Sequence, residues 1–316
     1  MTKIAFIFPG QGSQTVGMGQ QLVENNADCR TFYERANEVL GFSLSDLMLN
    51  GPAEELTKTY NAQPALLTTS SMIAHKLKQA GIIPHFTAGH SLGEYSALVA
   101  SNVLSFEEAV LLVHQRGLFM NEAVPSGEGA MAAILGLGKE ELLAVTAEVS
   151  KNGEIVQIAN LNCPGQIVIS GTAAGVEEAS IKAKEAGAKR AIPLVVSGPF
   201  HSELMRPAAQ QLDAAISAIE LQSASIPVIS NVTAESVTDA SQIKKILVEQ
   251  LYSPVRWEES IQQMIEQGTT IFVECGPGKV LSGLLKKINR SVTTYCVYDE
   301  ETLQQVITEL GDKQNG

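Results

Sequence analysis

Short apolar runs bounded by turn residues alternate along this chain with longer stretches of helical spacing. Residues 4–8 are an unbroken apolar run, the mark of a strand buried on both faces, and a glycine-rich loop follows, Pro9-Gly10-Gln11-Gly12-Ser13-Gln14. Helical spacing covers residues 18–40 and again 63–80, where Leu66, Leu67, Met72, Ile73 and Leu77 supply the apolar stripe. Residues 82–83 and 86–88 read as a short buried strand and 92–100 as a helix, with Ser91 at their junction. A further helix is predicted over 106–123.

From residue 131 the pattern changes. Strand 131–137, helix 139–151, strands 155–161 and 166–170, helix 175–186 and strand 189–196 follow in the order βαββαβ. That is the ferredoxin-like split unit, bracketed here by Pro125-Ser126-Gly127 and Ser197-Gly198-Pro199. It reads as a subdomain, 127–196, inserted into a core made of 1–126 and 197–316. In the second part of the core, strands at 226–230 and 271–273 alternate with helices at 243–251, from about 257 to 268, and at 280–288, and the tail from Asp312 is polar and expected to fray. The fold class is α/β, with a mostly parallel sheet covered on both faces and a ligand cleft expected between core and insertion.

Gly89-His90-Ser91-Leu92-Gly93 places a serine on the tight turn from strand to helix, where its hydroxyl is a nucleophile candidate. The loop at Gly10-Gln11-Gly12 lacks the lysine of a phosphate loop; it is either a glycine turn with no ligand or a loop in which Gln11 lends its backbone N–H to an oxyanion hole at the serine. Arg116 lies three or four positions from Leu112, Val113, Phe119 and Met120, on an apolar helix face with no carboxylate in reach along the helix. A buried guanidinium requires an anion, either a distant Asp or Glu or a ligand. His114, among apolar neighbours, reads as a satisfied core histidine. His201, in Gly198-Pro199-Phe200-His201-Ser202, sits on a loop after a strand and is a candidate base. A hydrolase triad would place an acid between serine and histidine, yet residues 91–201 contain no Asp, and most Glu there fall in charged patches such as Glu107-Glu108. A Ser–His dyad with the imidazole oriented by backbone carbonyls remains workable.

Composition narrows the partners. The 316 residues are 45% hydrophobic and 18% charged, enough for a sizeable core, and the net charge of -12 argues against nucleic acid as a partner. Cys29, Cys163, Cys275 and Cys296 form no C-x-x-C pair, so neither a metal site nor a disulfide framework is indicated, and a reducing cytoplasmic setting fits. No signal peptide and no membrane span is read.

Taken together, the segments 8–14, Gly89 to Glu94, Gln115-Arg116-Gly117, Gly198 to His201, Asn231-Val232-Thr233, Gln250 through Trp257 and Glu274-Cys275-Gly276-Pro277-Gly278 resemble the malonyl-CoA:acyl carrier protein transacylases of fatty-acid synthesis. The resemblance spans nearly the whole chain in family order. It implies a hydrolase-like core with the inserted ferredoxin-like subdomain, Ser91 as nucleophile and His201 as base. It also implies an oxyanion hole from the amides of Gln11 and Leu92, Arg116 on the malonyl carboxylate, the main-chain carbonyl of Gln250 orienting His201, and Leu92 and Phe200 setting malonyl specificity. The implied reaction moves malonyl from malonyl-CoA to the phosphopantetheine thiol of acyl carrier protein, with no bound cofactor. Basic clusters at Lys182, Lys184, Lys189 and Arg190, or at Lys286, Lys287 and Arg290, are candidates for docking the carrier. Rival expectations are a serine thioesterase or esterase, an acyltransferase of a polyketide pathway, and a catalytically silent carrier-binding module.

Overall fold

The computed structural model describes residues 2–314. Its strands are β1 (Lys3–Phe8), β2 (Phe86–Gly89), β3 (Gly129–Leu135), β4 (Val156–Cys163), β5 (Gln166–Thr172), β6 (Arg190–Pro193), β7 (Val228–Ile229), β8 (Ser236–Val237), β9 (Thr269–Cys275) and β10 (Thr293–Val297). Six of them form one sheet in the order β10-β9-β1-β2-β7-β8, parallel except for the β7–β8 hairpin. The other four form an antiparallel sheet in the order β4-β5-β3-β6. Together they make the α/β architecture of a mostly parallel core with a separate four-stranded unit whose order is that of a split βαβ fold.

β1 is central because it is apolar on both faces: Phe6 and Phe8 enter one buried cluster, Ala5 and Ile7 the other. The four-stranded unit has its own core around Ile134, Leu142, Val149, Ile158 and Ile169. It is not loosely tethered, since Ala159 and Leu161 of β4 exchange backbone hydrogen bonds with Val255 of the core (Leu161 N to Val255 O, 2.9 Å; Val255 N to Ala159 O, 2.8 Å).

Several elements differ from the sequence expectation. The helical stretch at 18–40 is two helices, Gln20–Asn25 and Ala27–Leu40, broken where Asn26 turns to extended backbone. Residues 82–83 are not part of β2; Pro84 separates them from it, and Ile83 is exposed. The helices Arg206–Ser217 and Glu300–Gln314 and strand β10 are additions, and the last helix runs through Asp312, where the sequence suggested fraying. Among the described residues, no helix is long and apolar enough to cross a membrane.

Candidate active site

The turn from β2 into the helix Gly93–Ala100 holds Ser91 at φ 51°, a left-handed conformation that a residue with a side chain adopts only under constraint. The constraint is visible. Asn231, buried at the exit of β7, accepts the Ser91 backbone N–H at 2.7 Å and donates its amide to Gly89 O at 2.6 Å. The flanking glycines are dictated by contact: a Cβ on Gly89 would lie 1.9 Å from the Gly93 backbone, and one on Gly93 would lie 2.1 Å from Phe8 O on β1.

His201 also has positive φ, 59°, and is buried. Its Nδ1 lies 2.8 Å from Gln250 O and its Nε2 lies 2.8 Å from Ser91 Oγ. A carbonyl only accepts, so Nδ1 carries the proton and Nε2 is left as the acceptor for the serine hydroxyl. Burial, and then the nearby Arg116 charge, push the imidazolium down to about 3, so His201 stays neutral and able to take a proton.

Arg116 comes from the helix Phe106–Glu122, which a Ser105/Glu108 capping box starts. Its side chain is 1% exposed. Nη1 donates to Gln63 Oε1 at 2.7 Å, and Nη2 donates to Gln250 Oε1 at 2.9 Å and to Ser91 Oγ at 3.3 Å. The Tyr95 ring lies 5.4 Å from the guanidinium carbon. Among the described residues no carboxylate comes within ion-pair distance of Arg116, so it is a buried cation held by neutral groups.

The backbone N–H groups of Gln11 and Leu92 have no partner among the described residues, and both residues line the same cleft as Ser91. The Gln11 side chain ties its loop to Thr59 Oγ1 at 3.2 Å. The cleft measures about 230 Å³; Ser91, Arg116, Phe200 and His201 line it from the core, and Met131, Asn160, Leu194 and Val195 from the four-stranded unit. His114 Nδ1 donates to Tyr60 O at 2.7 Å, outside this cleft, as a satisfied structural histidine would.

Three residues near Ser91 carry no role in the sequence reading. Asn231 is one, and Gln63 is another. Glu94 is the third: it is 2% exposed, and its Oε2 accepts from Gln250 Nε2 at 2.7 Å and from Asn231 N at 3.3 Å. Burial pushes its carboxyl up to about 7. The signal for Glu94 was its place in a helix, Gly93–Ala100, whose other residues are all buried but Val99, a poor setting for a solvated acid.

A serine hydroxyl at hydrogen-bond distance from a neutral imidazole, beside two unpaired amides, can attack a carbonyl and stabilise the oxyanion that forms. On a parallel α/β sheet, this arrangement defines the enzymes that pass an acyl group through a serine ester. A family model described as acyl transferase domain matches residues 5–309. The malonyl CoA-acyl carrier protein transacylase of Bacillus subtilis is 60% identical over 315 residues, covering 100% of this chain and 99% of the relative. The crystal structure of an acyl carrier protein S-malonyltransferase from Vibrio cholerae is 47% identical with a TM-score of 0.94, over 96% of this chain and 100% of that one. A malonyl-transacylase solved in complex with a type II PKS acyl-carrier protein is 43% identical with a TM-score of 0.95, over 98% of this chain and 100% of that one. The chain belongs to the malonyl CoA-acyl carrier protein transacylase family.

Proposed function

We propose that this protein transfers malonyl from malonyl-CoA to the phosphopantetheine thiol of acyl carrier protein, through a malonyl ester on Ser91, to supply fatty-acid synthesis. The observation that carries this reading is Arg116, a buried cation in hydrogen-bond contact with Ser91 Oγ and without a carboxylate partner among the described residues. An acyl group bearing its own carboxylate supplies the missing anion and is oriented by the guanidinium fork with its thioester at the serine.

Ser91 Oγ attacks the thioester carbon while Nε2 of His201 takes the hydroxyl proton. The Gln11 and Leu92 amides hold the oxyanion, the C–S bond breaks, and the proton passes to the departing CoA sulfur. The carrier thiol then gives its proton to His201, attacks the ester and leaves with malonyl, returning the proton to Ser91. Gln250 orients His201 through its carbonyl, and Phe200 beside the histidine limits bulk at the α-carbon. One thioester replaces another, so the transfer itself calls for no metal, ATP or redox group. Core residues 1–126 and 197–316 act as the acyltransferase body and 127–196 as the wall that closes the cleft. The four cysteines, none paired with another, suit a reducing compartment, and we place the reaction in the cytoplasm. Of the two basic clusters, the first is partly neutralised, Lys182 pairing with Glu148 at 2.8 Å, which favours Lys286, Lys287 and Arg290 for the acidic carrier.

Arg116→Ala tests the reading. Losing a buried charge-assisted pair costs about 2–5 kcal/mol, so malonyl kcat/KM is expected to fall roughly a hundredfold or more while acetyl-CoA is retained or gains. An equal loss for both acyl groups removes the carboxylate role.

A further inference from the structure

Arg116 and Glu94 are both buried and face one amide from opposite ends: Arg116 Nη2 donates to Gln250 Oε1 at 2.9 Å, and Gln250 Nε2 donates to Glu94 Oε2 at 2.7 Å. The amide cannot be turned over. A guanidinium only donates and a carboxylate, when ionised, only accepts, and Ser91 O, which also takes a hydrogen bond from Gln250 Nε2 at 3.0 Å, fixes the same sense. Arg116 thus has its opposite charge one side chain away, close enough to act through a low-dielectric interior but not in contact.

We propose that Glu94 is the positioning and counter-charge residue that sets the affinity of Arg116 for the substrate carboxylate, taking up a proton when that carboxylate arrives. This rests on the malonyl reading above. In the free enzyme, Arg116 and an ionised Glu94 balance; a malonyl carboxylate adds a second negative charge to a site that holds one positive charge. Two carboxylates sharing one buried cation raise each other's proton affinity, and Glu94 is the one that can be protonated without losing its hydrogen-bond partners, since its Oε2 serves as acceptor in either state.

The surroundings leave Glu94 as the group that titrates. The ionisable groups acting on or beside it are Arg116 from the helix Phe106–Glu122 and Tyr95 on its own helix, and burial holds the Tyr95 hydroxyl up at about 12. Lys78, on the packed helix Thr59–Gln79, reaches the far end of the Glu94 helix, at Ala100 O. Asn231 and Gln250, from the β7 exit and the helix Ala240–Gln250, present neutral groups. His201, down at about 3, changes no charge near neutral pH, whereas burial brings Glu94 to about 7. The sign follows: above pH 7 the free enzyme must bind a proton to accept malonate, so binding weakens as pH rises, toward a limit of about tenfold per pH unit.

The acylation half-reaction separates the outcomes, followed by rapid quench and intact mass with malonyl-CoA and with acetyl-CoA from pH 6 to 9. Wild type is expected to lose malonyl kcat/KM by about fivefold or more between pH 7 and 9, with no such fall for acetyl. Glu94→Gln, whose amide oxygen still accepts from Gln250 and Asn231, is expected to flatten the malonyl profile. A malonyl fall that persists in Glu94→Gln, or that acetyl shares, overturns the proposal while leaving malonyl preference intact. Loss of malonyl preference at every pH instead overturns the reading of Arg116. A second measurement does not depend on the folding of a Glu94 variant: calorimetric binding of malonyl-CoA to Ser91→Ala at pH 8 in buffers of different ionisation enthalpy. Uptake of a fraction of a proton is expected, and zero uptake overturns the proposal.

Discussion

Two strand-to-helix turns follow β9 and β2, the strands that flank β1 in the core, and they treat their helix N-termini in opposite ways. After β9, the helix Val280–Ile288 begins with its amides consumed: Glu274, fully buried, accepts from Leu281 N at 3.0 Å and Ser282 N at 2.8 Å. After β2, the Leu92 amide has no partner among the described residues, and the carboxylate of Glu94 accepts instead from Gln250 and Asn231. A helix start is an anion site only while its N–H groups are free. One turn has been closed by its own acid and is structural. The other leaves the Leu92 amide open beside a strained serine, where the proposed reaction would develop an oxyanion.

Replacement of the serine breaks the contrast most severely. Ser91→Ala is expected to lower the malonyl transfer rate by at least about 10⁴-fold, measured as initial velocity with carrier protein, because no ester can form. Next comes the packing of the elbow. Gly93→Ala forces a Cβ to 2.1 Å from the backbone oxygen of Phe8, which cannot swing away as a side chain could, and is expected to cost more than about 3 kcal/mol in denaturant unfolding. Glu274→Ala orphans two helix amides and is expected to cost about 2–3 kcal/mol while leaving kcat/KM of the folded enzyme unchanged. The smallest effect belongs to Gly278→Ala in the second turn, where φ is 83° but nothing lies within 4 Å of the added Cβ; about 1–2 kcal/mol is expected. Equal costs at Gly93 and Gly278 would erase the distinction drawn between a turn built by contact and one built by backbone freedom.

Much of this was legible in the chain because the constraints are local. The glycines around Ser91 report the close approach of β1, and the apolar neighbours of Arg116 report its burial. The βαββαβ order follows from alternating periods that each element carries by itself. What escaped was set by distant contacts. Gln63 reads as an ordinary helix residue until Arg116, 53 positions away, is placed against it, and Asn231 reads as a strand exit until its side chain meets Ser91 N, 140 positions away. Edge strand β10 pairs, among the described residues, with β9 alone, and its moderate burial leaves a weak pattern. The helix Arg206–Ser217 did carry a signal, Ala208, Ala209, Leu212 and Ile216 at helical spacing with Pro207 in the first turn. Glu94 was hidden by the habit of reading glutamate as solvated, in a helix where almost nothing is.

The central claim is that Ser91 accepts malonyl because Arg116 holds its carboxylate, and passes it on to a carrier thiol. Intact mass of the wild-type protein after brief mixing with malonyl-CoA, before and after adding phosphopantetheinylated carrier protein, tests it most directly. The account predicts a malonyl adduct on Ser91 that persists alone and moves to the carrier, with little adduct from acetyl-CoA. An adduct that decays to free malonate at the same rate with or without carrier would mean a hydrolase, and no adduct at all would contradict the account outright.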